Sequence, residues 1–492
     1  MSRPQRPGRG ARRLGKVVLL ALALTHAVAD ATLPAPVRAA LRQAGMTGHD
    51  VSAIVLPLDK PEAAARLTHH PDVPRNPASV MKLVTTWAGL QLLGPDHLWQ
   101  TRIYTTGPMR EGVLSGDLVI QGSGDPKLVV ERAQSLLAQV HEAGVRDVRG
   151  DIVLDRSVFE PEARDTPFDD EPLRPYNVSP DGLLMNFGSL VYRFTPDPAV
   201  GRARVRSEPP LEGLETPADV SLQSGACEDW RSQLQADFSQ ALRPRFTGSY
   251  PQSCGERPWP VAYADSNGFA PRMVQALWRE AGGHLSGQVR WGARPGQARL
   301  LLEYPSLPLR DLIADINKFS NNVMAQQLFL TLSSELGAPG RFEASRLRLT
   351  QWWRKQFPGQ PLPVLDNGSG LSRSERSTVA ALAALLRQAR HAPHADVFMR
   401  SLAVAGVDGT VSRLRERLPD SPVLGQAWLK TGSLRDVASV AGYVQGQSGR
   451  MYAVVAIVNH PQAAQARRAL DLLLDWTARD LDSTRSFSAA RP

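Results

Sequence analysis

The sequence predicts a mixed α/β (α+β) protein in which helix-rich segments at both ends enclose a β-rich insertion. Three observations carry that expectation. Apolar residues recur at helical spacing in the first hundred residues and again beyond residue 260. Short alternating runs broken by Gly, Pro and Asp fill the stretch between them. A chain of 492 residues also exceeds one ordinary core. Residues 30–104 and 258–484 are therefore expected to form one domain, 105–257 a β-rich insertion of one module or two nested ones, and 485–492 a tail.

Residues 1–29 read as a secretory signal peptide. Arg3, Arg6, Arg9, Arg12, Arg13 and Lys16 precede the apolar run Val17 to Leu24 and the small-residue exit Ala27-Val28-Ala29. That run is shorter than the ~18–20 residues a membrane span needs. The expected location is the periplasm, soluble after cleavage, reached by the general secretory route or by the twin-arginine route at which Arg12-Arg13 hints. Peripheral association with membrane or cell wall stays open. The same six residues supply much of the formal charge of +9: the rest of the chain carries 51 basic against 48 acidic side chains. A nucleic-acid partner thereby loses its main support.

After the signal, Leu33 to Ala44 reads as a helix and Val51 to Leu58 as a strand. A helix opens near Ser79 and stops at Gly94-Pro95, with Leu83, Val84, Trp87, Leu90 and Leu93 as its apolar positions. Strands follow at 101–105, 117–121, 151–155, 191–195 and 203–207, with one helix over 129–143 between them. Helices return at 268–281, 309–332, 341–356 and 379–389. Ala441 to Gln445 and Arg450 to Asn459 form a hairpin through Gln447-Ser448-Gly449. The closing helix, 463–481, buries Leu470, Leu473, Leu474 and Leu481. Cys227 and Cys254, the only cysteines, lie 27 apart in a Pro-, Gly- and Ser-rich segment. An exported chain with an even cysteine count is expected to pair them. No second pair offers a metal site, and neither metal nor organic cofactor is expected.

Three short stretches carry chemistry. Ser79 and Lys82 are three apart on a helix and so share a face, where the amine can take the proton of the hydroxyl. The chain has only seven lysines against fifty arginines. Lysine can lose its proton in a protein and arginine cannot, so a lysine kept beside a serine is suggestive. Ser320-Asn321-Asn322 offers a hydroxyl to relay a proton and an amide to hold a peptide group. Lys430-Thr431-Gly432-Ser433 ends a strand with a point charge and hydroxyls suited to a carboxylate, and with a glycine that admits another backbone. Taken singly, each has an ordinary structural reading as a helix cap or a strand end.

Together and in this order, S-x-x-K, S-x-N and K-T-G resemble the signature of the penicillin-recognising serine acyl transferases. The 241 positions from Ser79 to Ser320, filled by β-rich sequence, resemble the low-molecular-mass D-alanyl-D-alanine carboxypeptidase/endopeptidases of the penicillin-binding protein type. Similar neighbouring text includes Leu114 to Ile120 with Gly124-Asp125-Pro126, and Asp366-Asn367-Gly368-Ser369-Gly370-Leu371-Ser372-Arg373. Asn367 departs from the usual Asp-Gly of that loop. The resemblance implies a β-lactamase/transpeptidase-like domain with an antiparallel sheet flanked by helices. It implies Ser79 as nucleophile, Lys82 as base and Ser320 as proton relay. Asn322, Lys430, Thr431 and Ser433 would bind substrate, with the Ser79 and Ser433 N–H groups as oxyanion hole. Peptidoglycan peptides are then the substrates and β-lactam antibiotics covalent inhibitors. A β-lactamase and a non-catalytic wall-binding or penicillin-sensing module are the alternatives.

Overall fold

The computed structural model describes residues 33–60, 63–161 and 167–483. The expected signal peptide and tail lie outside the described residues. Strands Val51–Pro57, Leu67–His69, Ala403–Val404, Ala427–Leu434, Val437–Gln445 and Met451–Asn459 form one antiparallel sheet. Its order brings the first strand, Val51–Pro57, against the last, Met451–Asn459. The two central strands from the chain's end, Val437–Gln445 and Met451–Asn459, are almost wholly buried. Their near-continuous apolar sequence reflects a sheet covered on both faces.

Each face has its own core. On one, helices Lys82–Leu93, Leu309–Lys318, Asn322–Ser334, Phe342–Gln356 and Val379–Arg390 pack around Trp87, Leu328, Phe329 and Trp353, all fully buried. Burying side chains of this size contributes roughly 2–3 kcal/mol each. On the other face, helices Ala35–Gln43 and Arg467–Ala478 cover Val454, Ala456, Val458 and Leu429. Leu481, expected on the apolar face of the closing helix, is instead 50% exposed and lies beyond that helix, which ends at Ala478.

A further core runs from Ile103 to Tyr304. It joins a five-stranded sheet of Gln100–Thr105, Leu118–Gln121, Ile152–Asp155, Val289–Trp291 and Arg299–Pro305 to a second one of Ser189–Asp197, Arg202–Glu208, Asp219–Gln223, Ser249–Pro251 and Arg257–Ala262. The chain leaves the first of these sheets after Asp155, builds the second, and then returns to the first. Helix Ser266–Glu280 packs here through Phe269, Met273 and Leu277. The boundary expected at 257 therefore does not coincide with a change of core. An amphipathic helix has the same sequence pattern whichever core it faces. Cys227 and Cys254 are disulfide-bonded in this region, with Cα atoms 4.8 Å apart.

Candidate active site

Ser79 lies in a single 3-10 turn, Ala78–Met81, that leads into helix Lys82–Leu93. Three segments clamp this turn. Asn76 accepts the Ala78 N–H at 2.9 Å, donates to the Ser372 carbonyl at 2.8 Å, and exchanges two bonds with the Asn459 side chain at 2.9 and 3.0 Å. Ala78 is held at φ +47°, a conformation that alanine adopts only when its surroundings impose it. The strand Ala427–Leu434 passes directly over the turn. A Cβ at Gly432 would stand 2.6 Å from the Pro77 carbonyl oxygen and 3.0 Å from the Ser79 nitrogen, so only glycine fits.

Lys82 is fully buried, and its Nζ lies 2.9 Å from Ser79 Oγ and 2.6 Å from Asn322 Oδ1. It also bonds the Ser369 carbonyl. A neutral amine has two N–H groups and one lone pair. In that neutral form the two fixed carbonyl-type acceptors would take both N–H groups and leave the lone pair for the Ser79 hydroxyl. Burial pushes the Lys82 ammonium well below the ordinary lysine range, and the nearby Lys430 charge pushes the same way, while Glu375 opposes them. Lys430, also fully buried, is lowered by burial to about 7.

The helix expected over 309–332 is two helices, Leu309–Lys318 and Asn322–Ser334. The break falls on the S-x-N stretch. Ser320 is in the left-handed region at φ +59°, and Asn321 caps the second helix by accepting the Met324 N–H at 3.0 Å. The capping function and the site function thus divide between neighbours. Asn321 caps, Ser320 Oγ reaches Lys430 Nζ at 2.9 Å, and Asn322 faces Lys82. With its oxygen committed to Lys82, Asn322 offers its NH2 group to the cleft. Lys430 also donates to the Thr431 carbonyl at 2.7 Å, and Thr431 Oγ1 meets Thr410 Oγ1 at 2.7 Å. Ser433 is exposed two residues further on. Ser79, Lys82 and Asn322 form one bonded group and Ser320, Lys430 and Thr431 a second close enough for the Lys430 charge to act on Lys82, while Ser433 follows along the same strand; Cys227 and Cys254 belong to the other core.

Sequence reasoning missed Glu375. It is fully buried, and its Oε1 accepts the N–H groups of Asp366, Asn367 and Gly368 at 3.1 to 3.2 Å. Those bonds shape the loop whose Ser369 carbonyl meets Lys82. Burial raises the Glu375 carboxyl to about 7 against the lowering effect of its backbone donors. Ser439 was also missed; its Oγ donates to the Pro77 carbonyl at 2.7 Å and ties the sheet to the Ser79 turn.

The family model for D-Ala-D-Ala carboxypeptidase 3 (S13) matches residues 33–479. The chain belongs to that family. As a member of it, the protein is a serine-type D-Ala-D-Ala carboxypeptidase. It is 30% identical over 420 residues to the D-alanyl-D-alanine carboxypeptidase of Actinomadura sp. (strain R39), covering 80% of this chain and 75% of that one. It is 27% identical over 402 residues to the D-alanyl-D-alanine carboxypeptidase DacB of Haemophilus influenzae, covering 78% of this chain and 80% of that one. The crystal structure of penicillin binding protein 4 (dacB) from Haemophilus influenzae superposes with a TM-score of 0.70 at 23% identity, over 86% of this chain and 96% of that one. That likeness establishes a shared transpeptidase-like fold with its added domains.

Proposed function

We propose that this S13 carboxypeptidase acts in the periplasm on peptidoglycan stem peptides through an acyl-enzyme on Ser79. Lys82 takes the Ser79 proton as Oγ attacks the carbonyl carbon of the penultimate D-Ala. The N–H groups of Ser79 and Ser433 receive the developing oxyanion. Ser320, in contact with Lys430, hands a proton to the leaving amine as the C–N bond breaks. Lys430, Thr431 and Ser433 bind the terminal carboxylate, and Asn322 donates to the substrate's amide. Water then attacks the ester, releases the shortened peptide and restores Ser79. β-Lactams acylate Ser79 by the same first step and depart slowly.

The observation that carries this reading is the Lys82 amine, 2.9 Å from Ser79 Oγ with its other two partners fixed. Among the described residues no helix is long and apolar enough to cross a membrane, which accords with an exported enzyme. The test is mass spectrometry after incubation with penicillin, beside a D-Ala release assay. A single adduct on the Ser79 peptide, lost in Ser79→Ala while the fold persists, is the expected result. An adduct retained by Ser79→Ala would move the nucleophile elsewhere, and rapid turnover of penicillin without an adduct would favour a β-lactamase.

A further inference from the structure

The break between helices Leu309–Lys318 and Asn322–Ser334 is tied to the sheet edge by side chains that the chemistry above does not use. Asn317, fully buried, donates to Ser401 Oγ at 2.9 Å, just before strand Ala403–Val404. Lys318 Nζ meets Asp408 Oδ2 at 2.6 Å in a partly buried ion pair. The other oxygen of Asp408 accepts the Val404 N–H at 2.7 Å. Gly409 follows at φ +56°, packed on the Lys318 carbonyl, where a Cβ would stand 2.5 Å from the oxygen. Thr410 Oγ1 then meets Thr431 Oγ1 at 2.7 Å. One loop therefore grips both halves of the Ser320–Lys430 contact. Its Asp408–Gly409 corner holds the residue two before Ser320, and its Thr410 end holds the residue after Lys430.

Apolar packing does not supply this grip at its centre, since Phe319 and Val407, the apolar residues beside the ion pair, are 66% and 59% exposed. Ser320 meanwhile sits at φ +59°, a conformation that serine keeps only when its surroundings impose it. A pair this open to solvent adds little to stability. Its effect on position is larger, because displacing a reacting group by about 1 Å can cost about 10²-fold in rate. We propose that Asp408 is a positioning residue for protonation of the leaving group. By holding Lys318 and the Val404 N–H at once, it keeps Ser320 Oγ in reach of both Lys430 and the departing nitrogen. The inference rests on the function proposed above. As the C–N bond breaks, its electron pair goes to nitrogen, which takes the Ser320 hydroxyl proton. Ser320 regains a proton from the Lys430 ammonium, and the proton that Lys82 took from Ser79 restores Lys430. Asp408 itself exchanges none.

The experiment compares two acyl donors that share the same acyl-D-alanyl part and a terminal carboxylate. One is a peptide amide that releases D-alanine; the other is a thioester that releases mercaptoacetate. A thiolate can leave without a proton, whereas an amine must receive one. Asp408→Ala in the full-length protein should lose about tenfold or more in kcat/KM on the amide and stay within about threefold on the thioester. Lys318→Met should reproduce that selectivity, and the double variant should lose no more than the larger single loss. Ser320→Ala sets the reference, with an amide-selective loss at least as large. Equal losses on the two donors, an amide rate unchanged in either single variant, or losses that multiply in the double variant would each overturn the role of Asp408. A Ser320→Ala enzyme that cleaves the amide as fast as wild type would instead sink the proton relay in the function proposed above, so the two failures are distinguishable.

Discussion

The two large regions of this molecule hold themselves together by different means. The region from Ile103 to Tyr304 rests on aromatic packing: Tyr192, Phe194, Trp230, Phe238, Phe246, Tyr250 and Trp259 meet with ring centroids 5.3 to 6.5 Å apart, next to the disulfide. Aromatic pairs of this kind add about 0.5–1.5 kcal/mol each beyond the area they bury. The catalytic region instead encloses Lys82, Lys430 and Glu375, three fully buried ionisable side chains. Buried charges of this kind are poor sources of stability. The other region also buries Asp125 and Asp155, but each accepts backbone N–H groups near its own strands; only the catalytic region buries lysines against serine hydroxyls, Lys82 on Ser79 and Lys430 on Ser320.

Substitutions at Lys82 should expose that exchange most directly. Lys82→Arg and Lys82→Met should each slow penicillin acylation by about 10²–10⁴-fold, because neither side chain can act as the base. Their thermal stabilities should diverge: Met removes a buried amine and should melt higher than Arg, which keeps a charge in the same space. Equal melting temperatures would weaken the comparison, and an active Arg variant would remove Lys82 from its role.

The pH profile comes next. Since Lys82 is held below its ordinary range, the acid limb of kcat/KM for acylation should rise about tenfold per pH unit as Lys82 loses its proton. The alkaline limb should fall from about 7, where Lys430 gives up the charge proposed above to bind the carboxylate. A bound carboxylate favours the Lys430 ammonium, so the alkaline limb of kcat should lie higher than that of kcat/KM. Stopped-flow acylation over the range would show both limbs.

In the other region, replacing Cys227 and Cys254 with serine should lower stability by about 3 kcal/mol and leave acylation per folded molecule unchanged. Loss of acylation in folded double-serine protein would mean that the two regions are coupled.

The smallest expected effect is the most selective. Glu375 is raised to about 7 from a usual 4.5, so its contribution to stability is present below 4.5 and is lost as pH rises through about 7. The two lysines act in the opposite sense, contributing above 10.5 and losing that contribution as pH falls through their depressed values. Glu375→Gln should therefore melt a few degrees higher than wild type at pH 8 and equally at pH 5. Below about 7 the Glu375 carboxyl is uncharged, so Glu375→Gln should leave the acid limb of acylation in place; a shift of that limb would mean that the carboxylate persists at lower pH beside Lys82.

Much of this architecture was legible because local pattern and global fold agree. The spacing of Leu83, Val84, Trp87 and Leu90 marked the helix, and Ser79 and Lys82 followed from it. The break at Ser320 was hidden, since the apolar residues on either side continue one helical period and only the left-handed Ser320 and the extended Asn321 interrupt it. Glu375 was hidden for another reason. An acid in a Ser- and Arg-rich loop reads as solvated, and its burial is set by three backbone donors that fold over it. The extent of the β-rich region was misjudged at Ser266–Glu280, whose apolar face says that it packs but not against what.

The pairing of Val51–Pro57 with Met451–Asn459 has a consequence for biosynthesis. The segment that delivers Ser79 is synthesised roughly 350 residues before the one that delivers Lys430. Until that last hairpin arrives, the first strand has no partner on its long edge and the Ser79 turn lacks its tie to the sheet through Ser439. A chain cut short between Ser79 and the final hairpin would carry the serine yet be blind to antibiotic, so the enzyme cannot act before its own synthesis is nearly finished.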